Sequence, residues 1–155
     1  MKLSIDPRQS LRLAIITDLH YSPAANPSGR YHNAFATDRA KLFQTALQRC
    51  AAANVQALAI LGDLTDLGDR GSLVWVARQA AASAGRVWIV PGNHDVPRGA
   101  GELAEALREL GEANIALLTP EGLRWRDWVH VAGLAISAEA ERPSLHALGK
   151  LEPER

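Results

Sequence analysis

Three short apolar runs in this chain each stop at side chains that bind hard cations or move protons. Leu13-Ala14-Ile15-Ile16-Thr17 leads into Asp18-Leu19-His20, and Ala57-Leu58-Ala59-Ile60-Leu61 leads into Gly62-Asp63. The third, Val87-Trp88-Ile89-Val90, passes Pro91-Gly92 into Asn93-His94-Asp95. Runs of this length, rich in β-branched residues and bounded by turn formers, read as strands. The first, residues 11–17, is expected to be buried on both faces, as parallel strands usually are.

Helical periodicity separates the runs. Phe43, Ala46, Leu47 and Cys50 form one stripe, with Thr37 as its N-cap and Asn54 as its stop. Leu73, Val76, Ala77, Ala80 and Ala84 form a second, stopped by Gly85. Leu103, Ala106, Leu107 and Leu110 form a third, closed by Gly111. Strands alternating with helices in this way predict an α/β fold, a parallel βαβαβ sheet with right-handed crossovers. All three strands then end at the same edge, where open α/β sheets gather their ligands. Residues 115–118, 122–127 and 129–136 follow without helical patterns between them and are expected as a short antiparallel strand addition. A chain of 155 residues suits one domain, 1–155, with its core in 11–136 and a polar tail in 137–155.

Charge and composition narrow the function. Seventeen basic and seventeen acidic residues cancel, so no global field draws in nucleic acid or an anionic membrane. A small phosphorylated substrate needs only a local site. Cys50 is the only cysteine and cannot form an internal disulfide. No apolar run reaches membrane-spanning length and the N-terminus lacks a continuous apolar leader, which together predict a cytoplasmic protein.

The residues at the strand ends suggest a metal site. Asp18 and His20, two apart, deliver one carboxylate oxygen and one imidazole nitrogen to the same side. Asp63 offers two oxygens, enough to bridge two cations about 3.5–4 Å apart. Asn93 adds a neutral carbonyl oxygen. This mixed O/N set suits Mn, Fe or Zn better than Ca or a thiolate-selected ion. Such an ion lowers the pKa of bound water toward ~7 and neutralises charge on a phosphoryl group. His94, beside a ligand, can protonate a leaving alkoxide, and Asp95 can orient it. Taken singly, an Asp-x-His or a Gly-Asp is far more often a turn or cap; it is their recurrence at successive strand ends that points to metal. The loop 21–33 carries Tyr21, Arg30, Tyr31 and His32, of which Arg30, Tyr21 and His32 are expected to grip a phosphate and stack a base.

Asp18-Leu19-His20, Gly62-Asp63 and Gly92-Asn93-His94-Asp95 resemble the first three signatures of the calcineurin-like metallophosphoesterases. Their wider contexts, Thr17 to Tyr21 and Leu61 to Asp66, are similar to the branch of cyclic-nucleotide phosphodiesterases and nucleotide-diphosphate hydrolases. The resemblance implies a dinuclear site in an α/β sandwich, with Asp18, His20, Asp63 and Asn93 as ligands and His94 as the catalytic histidine. It implies a hydrolase of phosphomono-, phosphodi- or pyrophosphate esters, with nucleotides as substrates. The family continues with a histidine at the end of a later strand and then a Gly-His-x-His signature, neither of which is found in these 155 residues. One ion is therefore expected to bind firmly and a second weakly or not at all. The alternative is a shortened, weakly active or inactive relative, acting as a binding or assembly module or as one piece of a split enzyme. Of the other histidines, His130 reads as a packed or interface residue and His146 as a surface one. An uncovered edge on the late strands is expected to pair two or more copies into a homo-oligomer.

Overall fold

A computed structural model describes residues 10–23, 38–96, 101–119, 122–124, 130–131 and 133. The α/β expectation holds: four strands form one parallel sheet in the order β1-β2-β3-β4, alternating with three helices. The strands are β1 (Leu13–Thr17), β2 (Ala57–Leu61), β3 (Arg86–Val90) and β4 (Ile115–Leu117). The helices are α1 (Arg39–Ala52), α2 (Arg70–Ala81) and α3 (Gly101–Leu110). Thr17 pairs with Leu61 and Leu61 with Val90, so the three ligand-bearing strands end level with one another.

All three helices contribute to the apolar layer on one face of the sheet. Phe43 and Leu47 of α1, Leu73, Val76 and Ala80 of α2, and Leu103 of α3 are buried there with Leu58, Ile60, Val87 and Ile89. The alternate residues of the same strands, Ala57, Ala59, Trp88 and Val90, face the other way and pack with Leu118, Leu123 and Val131. Leu123 and Val131 belong to a two-stranded antiparallel piece, β5 (Leu123–Arg124) with β6 (His130–Val131). Period-two alternation between two apolar layers explains why β2 and β3 read as continuous hydrophobic runs.

Three local expectations change. β1 is not buried on both faces: it is the edge strand of the sheet among the described residues, with Ala14 and Ile16 half-buried toward the helices and Leu13, Ile15 and Thr17 exposed. Residues 115–117 are not antiparallel; they run parallel to β3, because α3 carries the chain back to the start of the sheet as a further crossover. The N-cap of α1 is Asp38, whose carboxylate accepts from the Lys41 backbone N–H at 3.0 Å. Thr37 lies outside the described residues, as do Trp125, Trp128, His146 and the tail 137–155. Asn54 does end α1, in the left-handed region at φ 50°. No helix of the described residues is long and apolar enough to cross a membrane.

Candidate metal centre

Beyond the ends of β1, β2 and β3 the chain does not fan out. The β1 loop stays laced to the β2 loop through His20 N–H to Asp63 O at 2.8 Å, Tyr21 N–H to Leu64 O at 2.9 Å and Asp66 N–H to Tyr21 O at 3.0 Å. The β2 loop is tied to the β3 loop by Gly62 N–H donating to Val90 O at 2.8 Å. Asp95 strengthens this second seam. Its buried carboxylate accepts from the Leu64 and Thr65 backbone N–H groups, from the Thr65 hydroxyl and from Gly92 N–H, all within 3.0 Å. Burial pushes the Asp95 carboxyl above its usual range, and the four hydrogen bonds pull the other way.

This lacing forces unusual backbone at the polar residues. Asp18, His20 and Asp63 have φ of 51°, 46° and 24°, in the left-handed region that non-glycine residues avoid. Strain of about 1–3 kcal/mol each persists only where the surroundings over-determine it, and it clusters at functional sites. Gly92 shows how tight the packing is. A Cβ there would overlap both the carboxylate and the backbone nitrogen of Asp63.

The side chains meet as a result. One donor atom from each of Asp18, His20 and Asp63 lies within 4.8 Å of the other two. His20 Nε2 is 3.5 Å from Asp63 Oδ2, and the His94 backbone N–H donates to Asp63 Oδ1 at 3.0 Å. Asn93, exposed, sits between Gly92 and His94, both of which touch Asp63. The His94 ring meets the His20 ring edge-on with centroids 4.8 Å apart. His94 Nδ1 lies 2.8 Å from the backbone oxygen of Asp66, which can only accept, so Nδ1 carries the proton.

Asp66 is the residue that sequence reasoning missed. Its buried carboxylate has Oδ1 at 3.8 Å from both His20 Nδ1 and His94 Nδ1, and the three residues form a second grouping of potential donors. The signal was present in the Gly-Asp loop as a second aspartate three residues after Asp63. The orienting contact expected of Asp95 is made to His94 by the Asp66 carbonyl, while both Asp95 oxygens serve the loop seam.

Tyr21 is buried and stacks on Trp75 with centroids 4.1 Å apart and planes 11° apart. Burial, with Asp69 and Asp38 nearby, pushes its hydroxyl up from the ordinary value. Arg30 and His32 lie outside the described residues. Of the expected site residues, Asp18, His20, Asp63 and His94 are thus placed together, Asn93 is placed by its neighbours, and Tyr21 packs under the loops.

The donor set fits a divalent transition metal. The Asp18 and Asp63 carboxylates at one rim, with Asp66 beside them, repel one another unless a cation stands among them, and the His20 imidazole adds a nitrogen donor to the set. His20 has Nε2 3.5 Å from Asp63 Oδ2 and Nδ1 3.8 Å from Asp66 Oδ1, so one ring nitrogen is on the side of the donor cluster and the other on the side of a further carboxylate.

Comparison with known proteins bears on the fold and the family. A solved crystal structure superimposes with a TM-score of 0.61 at 15% identity, covering 83% of this chain. At that identity the likeness concerns the fold alone, and the chain spans 55% of the length of that structure's chain. No curated protein matches the sequence. The family model for calcineurin-like phosphoesterases matches residues 11–148, most of the chain. The chain belongs to the calcineurin-like phosphoesterase family.

Proposed function

We propose that this protein is a metal-dependent phosphoesterase whose centre is built from Asp18, His20, Asp63 and Asn93, with His94 as the general acid. The observation that carries this reading is the convergence of Asp18, His20 and Asp63 donor atoms within 4.8 Å at the carboxyl ends of parallel strands. A divalent ion held there supplies an activated water and neutralises charge on the phosphoryl group. Asp18 and Asp63 contribute the anionic oxygens, and His20 contributes Nε2 while Asp66 faces Nδ1. Asn93 brings a neutral oxygen that adds no further charge.

His94 acts on the leaving group. Its Nδ1–H stays on the Asp66 carbonyl at 2.8 Å, so the proton it delivers comes from Nε2. After that transfer the ring is the neutral Nδ1–H tautomer, which the same carbonyl already holds. No reorientation is needed. Asp66 thereby supports both rings, one by its carboxylate and one by its backbone.

One ion fits this chain better than two. The groupings Asp18/His20/Asp63 and His20/Asp66/His94 share His20, and a neutral imidazole offers a lone pair on only one nitrogen. Manganese, iron and zinc all suit the donor set. Phosphodiester or pyrophosphate bonds of nucleotides are the proposed substrates, a preference supported by the resemblance of residues 17–21 and 61–66 to that branch of the family. The alternative reading is a weakly active module or one piece of a split enzyme.

Hydrolysis of bis(p-nitrophenyl) phosphate with added Mn²⁺ decides between them. Activity is expected in the wild type, reduced about 10²–10⁴-fold in His94→Ala, and abolished in Asp63→Asn. No hydrolysis at any metal concentration supports the module. Activity indifferent to both substitutions overturns the site.

A further inference from the structure

Of the four large apolar side chains left exposed among the described residues, two lie on β1, on the face turned away from the helices, and one on α1. Leu13 and Ile15 of β1 are 43% and 58% exposed, Leu42 of α1 is 50% exposed, and only Leu67 lies elsewhere. Between β1 and α1 runs a groove of about 500 Å³, lined by Ala14, Ile16, Leu42, Phe43, Ala46 and Cys50 among others. β1 has a strand neighbour on one side only among the described residues. It carries none of the usual protections of an edge: Leu13–Thr17 holds no Lys, no Pro and no charge.

The backbone of β1 is set for pairing. Arg12 turns its N–H and C=O toward β2, donating to Gln56 Oε1 at 3.1 Å and accepting from Gln56 N–H at 2.9 Å. By alternation along the strand, Leu13, Ile15 and Thr17 turn theirs to the open edge. Those residues suit antiparallel pairing with the same strand of another molecule. A two-fold axis at Ile15 sets Ile15 against Ile15 and Leu13 against Thr17, with about six main-chain hydrogen bonds exchanged.

We infer that β1 pairs with β1 of a second copy of this chain, joining two four-stranded sheets into one of eight. Self-complementarity selects a second copy over an unrelated peptide. In the register centred on Ile15, Ala14 meets Ile16 beside the groove, so a bulky side chain enters where a small one leaves space. The same register sets Arg12, just before the strand, near the end of the partner strand that Asp18 follows, so opposite charges flank the paired segments. The two exposed Leu42 side chains then lie on the same side of the joined sheet, on the helices nearest the axis. In the four-stranded sheet this edge is opposite β4, and it is not the late-strand edge from which the sequence suggested assembly.

Sedimentation of the full chain tests the pairing. Wild type is expected at twice the mass of one chain, and Ile15→Lys at the mass of one chain with unchanged circular dichroism. A second route does not depend on that variant folding. Hydrogen-bonded antiparallel partners have Cα atoms about 5.5 Å apart, within the span a disulfide bridges. Ile15→Cys in a Cys50→Ser background should therefore cross-link to a covalent dimer on mild oxidation, while Leu67→Cys in the same background should not. A wild-type monomer at every soluble concentration overturns the inference. So does a dimer that neither responds to Ile15→Lys nor cross-links at position 15. Amides of Leu13, Ile15 and Thr17 protected from hydrogen exchange in a monomer would show that the chain covers its own edge, and would overturn it too.

Discussion

Gly92 and Asp95 do more for the centre than their side-chain chemistry suggests. With no Cβ, Gly92 lets the β3 loop lie against the Asp63 carboxylate, and the next two residues carry the amide oxygen of Asn93 and the ring of His94. Gly92→Ala is expected to displace Asp63 and weaken Mn²⁺ binding about 10–100-fold, the range seen when groups that orient a ligand are lost. Isothermal titration would measure it. Asp95 acts by stitching, and its elevated carboxyl pKa carries a definite sign. The folded form holds the proton more tightly than the unfolded form. The stability this group contributes is therefore greatest below the ordinary value of 3.8 and declines as pH rises through the elevated folded value. The stability difference between wild type and Asp95→Asn, from denaturant titrations, should shrink as pH rises across that window. At neutral pH the variant should still be the weaker, because its amide N–H₂ faces backbone donors, and a buried unsatisfied donor costs about 1–3 kcal/mol.

Elements hold the loops in place by packing and by their caps. α2 starts at Arg70 because Asp69 accepts from Ser72 N–H at 2.9 Å, which fixes how the β2 loop enters the helix. Asp69→Ala is expected to cost about 0.5–2 kcal/mol, visible as a lower denaturation midpoint. Much of this was legible in the sequence. The apolar stripes placed α1, α2 and α3, and the runs 57–61 and 87–90 placed β2 and β3, since both faces of those strands are covered. β1 was misjudged for a physical reason: a short apolar run looks alike whether both faces are covered or one lies open at an edge. The parallel setting of β4 was hidden because its three residues carry no direction of their own; α3 supplies it. At the site, residue types and spacing brought Asp18, His20, Asp63 and His94 forward. Asp66 stayed hidden because its role depends on a turn placing its carboxylate between two imidazoles and its carbonyl against His94 Nδ1.

At the scale of the molecule, parallel strands in sequential order do two things at once. They deliver three separate stretches of chain to one rim, and among the described residues they leave the first strand at the margin of the sheet. The rim is the proposed centre and the margin is the proposed contact between copies. The rim can be tested directly by crystals grown with Mn²⁺ and measured at the manganese edge. A strong anomalous peak is expected among Asp18, His20 and Asp63, at roughly the 2.0–2.2 Å typical of transition-metal nitrogen and carboxylate bonds. A map with no peak there, or with the metal bound elsewhere while these three side chains stay bare, contradicts the assignment of the site.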